Sequence, residues 1–115
     1  MYFGGVEPRE RIEVLHYRSG FAKCPFEEWV EGLDKAIKSR IRIRIERMKV
    51  GYLGSYRFLG QGLYELIIDV GPGYRIYFIH LGKNTALLLT GGDKSNQQRD
   101  IKKSHEYISE YGRQK

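Results

Sequence analysis

The sequence predicts an α+β fold, a small antiparallel sheet with a helical hairpin before it and one helix after it. Three observations lead there. Residues 25–51 carry apolar side chains at helical spacing in two runs, residues 56–90 change to strands punctuated by glycine turns, and helical spacing returns after Ser95.

The elements follow in chain order. Between Glu10 and Tyr17, Ile12, Val14 and His16 alternate with Glu13, Leu15 and Tyr17, a first strand in which Leu15 breaks the polar face. Pro25 opens a helix whose Phe26, Trp29, Val30 and Leu33 recur at i, i+3, i+4 and i+7, with Gly32 near its end. From Asp34 a second helix carries the stripe Ile37, Ile41, Ile45 and Met48, and Gly51 stops it. Ile41, Ile43 and Ile45 also alternate with arginines as a strand would. Length and clean ends decide for helix, and Ile43 is expected to widen the buried face.

After Gly54, Tyr56 to Leu59 is a short strand, and Gly60-Gln61-Gly62 turns the chain into the run Leu63 to Val70. Asp69 to Gly73 forms the next turn, Tyr74 to Leu81 the next strand, and Gly82 to Asn84 closes a hairpin onto Thr85 to Thr90. This is an antiparallel meander. Ser95 with Gln98 reads as a capping box for a last helix bearing Ile101, Tyr107, Ile108 and Tyr111.

With the helices over one sheet face, alternation turns Tyr64, Leu66, Ile68, Ile76, Phe78 and His80 toward them. Glu65, Ile67, Arg75 and Tyr77 then become neighbours on an open, concave polar face. That face is the expected site.

The 115 residues show no linker, repeat or low-complexity tract, so a single domain over 1–115 is expected, and 41% hydrophobic with 13% aromatic content excludes a disordered chain. The lone Cys24 excludes an intrachain disulfide. No leader pattern is read over Met1 to Gly20, and no stretch approaches the roughly 20 apolar residues of a membrane helix. A cytoplasmic protein is the expectation. A net charge of +6 and a pI near 9.5 give a field that draws polyanions: nucleic acid, acidic proteins or anionic membrane surfaces.

The second helix concentrates that charge in Lys35, Lys38, Arg40, Arg42, Arg44, Arg47 and Lys49, offset within it by Glu46. It reads either as a solvated face or as a phosphodiester-binding surface whose affinity falls with salt. Arg75 likewise has two readings, a strand arginine paired with Glu65 or a fork for two phosphate oxygens. Lys94 stands just ahead of a helix N-terminus, where backbone amides also favour an anion. His16, His80 and His105 have no metal-ligand spacing, and His80 reads as a packed strand residue. No metal and no cofactor is expected. No nucleophile elbow, phosphate-binding loop or dinucleotide fingerprint occurs, because Gly60-Gln61-Gly62 and Gly71-Pro72-Gly73 are turns between strands.

Three separated motifs then stand in order: Gly62-Leu63-Tyr64-Glu65-Leu66, Gly71-Pro72-Gly73-Tyr74-Arg75-Ile76-Tyr77-Phe78, and Leu88-Leu89-Thr90-Gly91-Gly92-Asp93-Lys94-Ser95 followed by Gln97-Gln98-Arg99-Asp100-Ile101. With them the sequence, over about residues 12 to 110, resembles the HigB-like addiction module killer proteins of the RelE/ParE toxin superfamily. The resemblance implies a RelE-like fold and the toxin half of a type II toxin-antitoxin pair. In nuclease members it implies ribosome-dependent mRNA cleavage, an endoribonuclease (mRNA interferase) activity that arrests translation.

Carried over by position, Arg75 matches the phosphate-binding arginine and Lys94 a basic residue at the end of the last strand. For an RNA-cleaving reading, Glu65 or Asp93 is the candidate proton acceptor, although Glu65 itself departs from the basic residues related toxins often carry on that strand. Tyr77 and the basic helix residues Lys38, Arg40, Arg42, Arg44, Arg47 and Lys49 are the expected RNA contacts. The implied partners are mRNA, the ribosome and a cognate antitoxin, either acidic or of helix-turn-helix type; no membrane partner is expected. Ile67 departs from the family pattern, since related toxins carry an arginine there. Gyrase-directed or ribosome-blocking toxins of the same superfamily, and an antitoxin-binding module without toxicity, are the alternatives.

Overall fold

The computed structural model describes residues 10–20 and 23–114; the leader reading over residues 1–9 lies outside them. The chain order is β1 (Glu13–His16), α1 (Pro25–Glu31), α2 (Lys35–Lys49), β2 (Tyr56–Gly60), β3 (Leu63–Ile68), β4 (Tyr74–His80), β5 (Thr85–Asp93), a 3-10 turn (Lys94–Asn96) and α3 (Gln97–Gln114). The five strands form one sheet in the order β1-β5-β4-β3-β2. The β2 to β5 meander is antiparallel as expected, and β1 joins β5 in parallel.

Local chemistry sets the ends of the elements. Pro25 begins α1, where its missing N–H costs nothing. The Asp34 carboxylate accepts the Ile37 N–H at 3.0 Å and caps α2. After α2, Gly51 takes φ +91°, a left-handed stop that glycine adopts without steric cost. The last helix starts differently from expectation: the Asp93 side chain accepts the Ser95 N–H at 2.9 Å, so Asp93, not Ser95 with Gln98, is the cap.

Helices cover both sheet faces, which corrects the one-sided arrangement expected from the sequence. On one face, α1 and α2 bury Phe26, Val30, Ile41, Ile45 and Met48 against Leu66, Ile68, Ile76, Phe78 and Leu88. On the other, Ile101, Tyr107 and Ile108 of α3 lie over Leu63, Tyr77, Ile79, Leu87 and Leu89. Each fully buried Leu, Ile or Phe contributes roughly 1.5–3 kcal/mol, so both layers hold the sheet. Ile43, expected inside, is half exposed, because the cylinder already buries the Ile41, Ile45 and Met48 stripe.

A bulge interrupts β5 next to the helix contacts. Tyr77 pairs with Thr90 but the next residue, Phe78, pairs with Leu88, leaving Leu89 extra. Leu89 and Thr90 therefore share the α3 face. Past the bulge, a side chain on Gly91 would strike the Trp29 ring of α1, and one on Gly92 would strike the Asp100 carboxylate of α3. The adjacent glycines let one helix close onto each face of β5.

Candidate functional site: a buried carboxylate among arginines

The strand register brings Arg57, Glu65, Arg75 and Gly92 side by side across β2, β3, β4 and β5: Arg57 pairs with Glu65, Glu65 with Tyr77, Ile67 with Arg75, and Arg75 with Gly92. Alternation as read from the sequence does put Glu65, Ile67, Arg75 and Tyr77 on one face. That face is not open. The first turn of α3 and its Gln97 close over it, so that Glu65 and Tyr77 are fully buried and Arg75 is only 9% exposed.

Glu65 is the centre. Its Oε2 accepts from Arg57 Nε at 3.0 Å and Nη2 at 2.7 Å, and its Oε1 accepts from Gln97 Nε2 at 3.0 Å. Arg75 Nε stands 3.7 Å from Oε1, an ion pair without a hydrogen bond. A buried charge requires such company, since isolating it would cost several kcal/mol. The register of Arg57 opposite Glu65 carried the missed arginine of this cluster, and Gln97 was visible only as part of a motif.

Around Glu65, three buried polar atoms have no hydrogen-bond partner among the described residues: Arg75 Nε, Tyr77 Oη and Asp100 Oδ2. Burial pushes the Asp100 carboxyl above its usual range and the Tyr77 phenol upward as well. Asp100 had no assigned role in the sequence, because a single acid in a polar helix turn carries no signal of what it faces.

Arg75 and Lys94 both border Gly73. Arg75 Nη1 and Lys94 Cβ lie 3.7 Å and 3.8 Å from the point where a Gly73 side chain would begin. The Lys94 N–H donates to the Gly73 carbonyl at 2.8 Å, fastening the 3-10 turn to the β3–β4 side of the sheet. Lys94 is exposed; Arg99, also exposed, reaches Asp100 Oδ1 at 3.5 Å. Asp93 is held below the usual carboxylate range by its hydrogen bonds from Ser95, so it is a cap first and a weak base.

The expected RNA contacts divide. Tyr77 is inside the protein. On α2, Arg42 donates to Glu27 at 3.0 and 3.2 Å, Lys38 to Glu31 at 3.4 Å and Lys49 to Glu46 at 2.8 Å. Arg44 donates to the carbonyls of Ile67, Leu53 and Ser55, holding the strand entry instead of facing a ligand. Arg40 and Arg47 make no ion pair among the described residues. His80, expected to be packed, is exposed at the end of β4 with its ring edge-on to Tyr64 at 4.9 Å.

Among the described residues no group of three or more His, Cys, Asp or Glu is placed to hold a metal ion. No helix of the described residues is long and apolar enough to cross a membrane. No family model matches the chain. It is 38% identical over 88 residues to an uncharacterized protein of Haemophilus influenzae, a match covering 76% of this chain and 89% of that protein.

Proposed function

The chain belongs to the same family as that Haemophilus influenzae protein, and we propose that it is a RelE/ParE-type toxin that cleaves mRNA on the ribosome. The observation that carries this reading is that Arg75, through Nη1, and Lys94, through its Cβ, both border Gly73 ahead of the α3 turn, with Lys94 exposed. Such a place suits a phosphodiester: a planar fork and an ammonium group face charge that increases as the reaction proceeds.

In the chemistry proposed, the 2′-oxygen of one ribose attacks the adjacent phosphorus and the 5′-oxygen of the next nucleotide leaves. The 2′-hydroxyl proton passes to an acceptor, and the leaving oxygen takes a proton from a donor. Arg75 and Lys94 neutralise the phosphate. Glu65, its two oxygens already engaged by Arg57 and Gln97, faces the Arg75 guanidinium as an ion pair at 3.7 Å and does not serve as the proton acceptor. The cytoplasm, the ribosome and a cognate acidic or helix-turn-helix antitoxin complete this reading.

The occupied state of Glu65 also favours a second reading. With that carboxylate committed to Arg57 and Gln97 and an apolar Ile67 opposite Arg75, the cluster suits binding without cleavage, as in a toxin that blocks the ribosome or gyrase. Inducible expression followed by mapping of mRNA 5′ ends on translating ribosomes separates the two. New ends within ribosome-covered codons support cleavage; arrest with intact mRNA supports the blocking toxin; growth unaffected by expression sinks both.

A further inference from the structure

On the sheet face opposite to the Glu65 cluster, the edge strand β2 presents aromatic rings to solvent, and the loop before it adds another. Tyr52, Tyr56 and Phe58 are 51%, 49% and 56% exposed, far more than large rings usually are in a packed domain. Tyr56 and Phe58 are held from beneath. Tyr64 lies with its ring centroid 6.3 Å from that of Tyr56 and 4.8 Å from that of Phe58, and Tyr64 itself stacks on Phe78 at 5.3 Å.

The row continues onto α2. Tyr52 and Tyr56 line one open cleft together, and Tyr52 lines the adjoining one, about 650 Å3, with Arg44, Arg47 and Val50. Arg44 is spent on backbone carbonyls, but Arg47 makes no ion pair among the described residues. Rings and one uncommitted guanidinium thus form a single strip on a chain of net charge +6.

We propose that Tyr52, Tyr56, Phe58 and Arg47 form a stacking surface for single-stranded RNA, distinct from the Arg75 site. Tyr56 and Phe58 stand two residues apart on one strand face, roughly 6.6 Å along it. Rings in series on a sheet stack successive bases, and a nearby arginine meets the backbone. An acidic protein segment would also satisfy Arg47, but it would leave the exposed ring faces of Tyr56 and Phe58 unused, whereas bases stack on such faces. The surface needs no cleavage to be measured.

The test is fluorescence anisotropy of end-labelled oligoadenylate and oligouridylate with the full chain, on the natural protein, Tyr56→Leu/Phe58→Leu and Phe58→Trp. The leucine pair keeps apolar bulk and removes the rings. It is expected to weaken oligoadenylate binding roughly tenfold or more. Phe58→Trp should bind at least as tightly as the natural protein, and adenylate should exceed uridylate. Equal binding by the leucine pair overturns the proposal. So does an acidic peptide that binds the strip while neither oligonucleotide does.

Discussion

Asp100 and Gly92 are seated against one another so closely that the carboxylate oxygen Oδ2 occupies the space a side chain on Gly92 would need. The first turn of α3 rests on β5 through this contact. Gly92→Ala must either lift the turn or swing the carboxylate, and overpacking of this kind costs about 1–3 kcal/mol. Urea denaturation of Gly92→Ala should show that loss, with Arg75 and Lys94 shifted in an NMR spectrum. An unchanged midpoint would contradict the seating.

Asp100 itself carries a pH signature. Its folded carboxyl lies above the ordinary range because burial disfavours the charged form. The fold therefore prefers the protonated acid: the penalty for ionisation is absent below the unfolded value of about 3.9, grows as pH rises through the folded value, and is constant beyond it. Asp100→Asn is expected to raise stability at neutral pH and to give no gain near about pH 3. Equal effects at both ends would remove the carboxyl charge from the account.

Arg75 has a cost that an exposed arginine would not have. Truncating it leaves a hole beside buried Glu65 and strips that carboxylate of a positive neighbour, so Arg75→Ala should destabilise by roughly 1–3 kcal/mol. Arg75→Met retains most of the stem. If Arg75 binds phosphate, the folded Met variant loses growth arrest; a folded Arg75→Met protein that still arrests growth takes Arg75 out of the mechanism.

Helix stripes, glycine turns and the meander arise from local periodicity and were legible in the sequence, as was the shared face of Glu65 and Arg75. Which face α3 covers was not legible: the amphipathic pattern of Ile101, Tyr107 and Ile108 says that the helix packs, and tertiary placement alone says where. Exposed aromatics such as Phe58 were equally hidden, because strand residues read as core by composition. Two of the acids that quench α2, Glu27 and Glu31, come from α1, so counting charge within one helix overstated its free basic surface.

Ile67 pairs with Arg75 across β3 and β4 and is only partly buried. If the missing cation there limits cleavage, Ile67→Arg should accelerate ribosome-bound mRNA cleavage, since one charge-stabilising contact typically supplies about two orders of magnitude. Capture of the new guanidinium by Glu65 would mask the gain. The double variant Ile67→Arg/Glu65→Gln removes that trap, although freeing Arg57 lowers stability. If neither variant outpaces the natural protein in a timed cleavage assay, the missing-cation idea fails.

The extra residue in β5 falls within the run Leu87-Leu88-Leu89, directly ahead of Thr90. Loss of one leucine codon would straighten the ladder, with Leu89 moving opposite Phe78 and every later residue keeping its partner. The strand therefore has slack built into it upstream of the glycines. A relative shorter by one residue at this point is expected to seat its equivalents of Gly91, Gly92 and Lys94 unchanged, whereas a one-residue loss between Thr90 and Lys94 has no such reserve and would displace the lysine from Arg75.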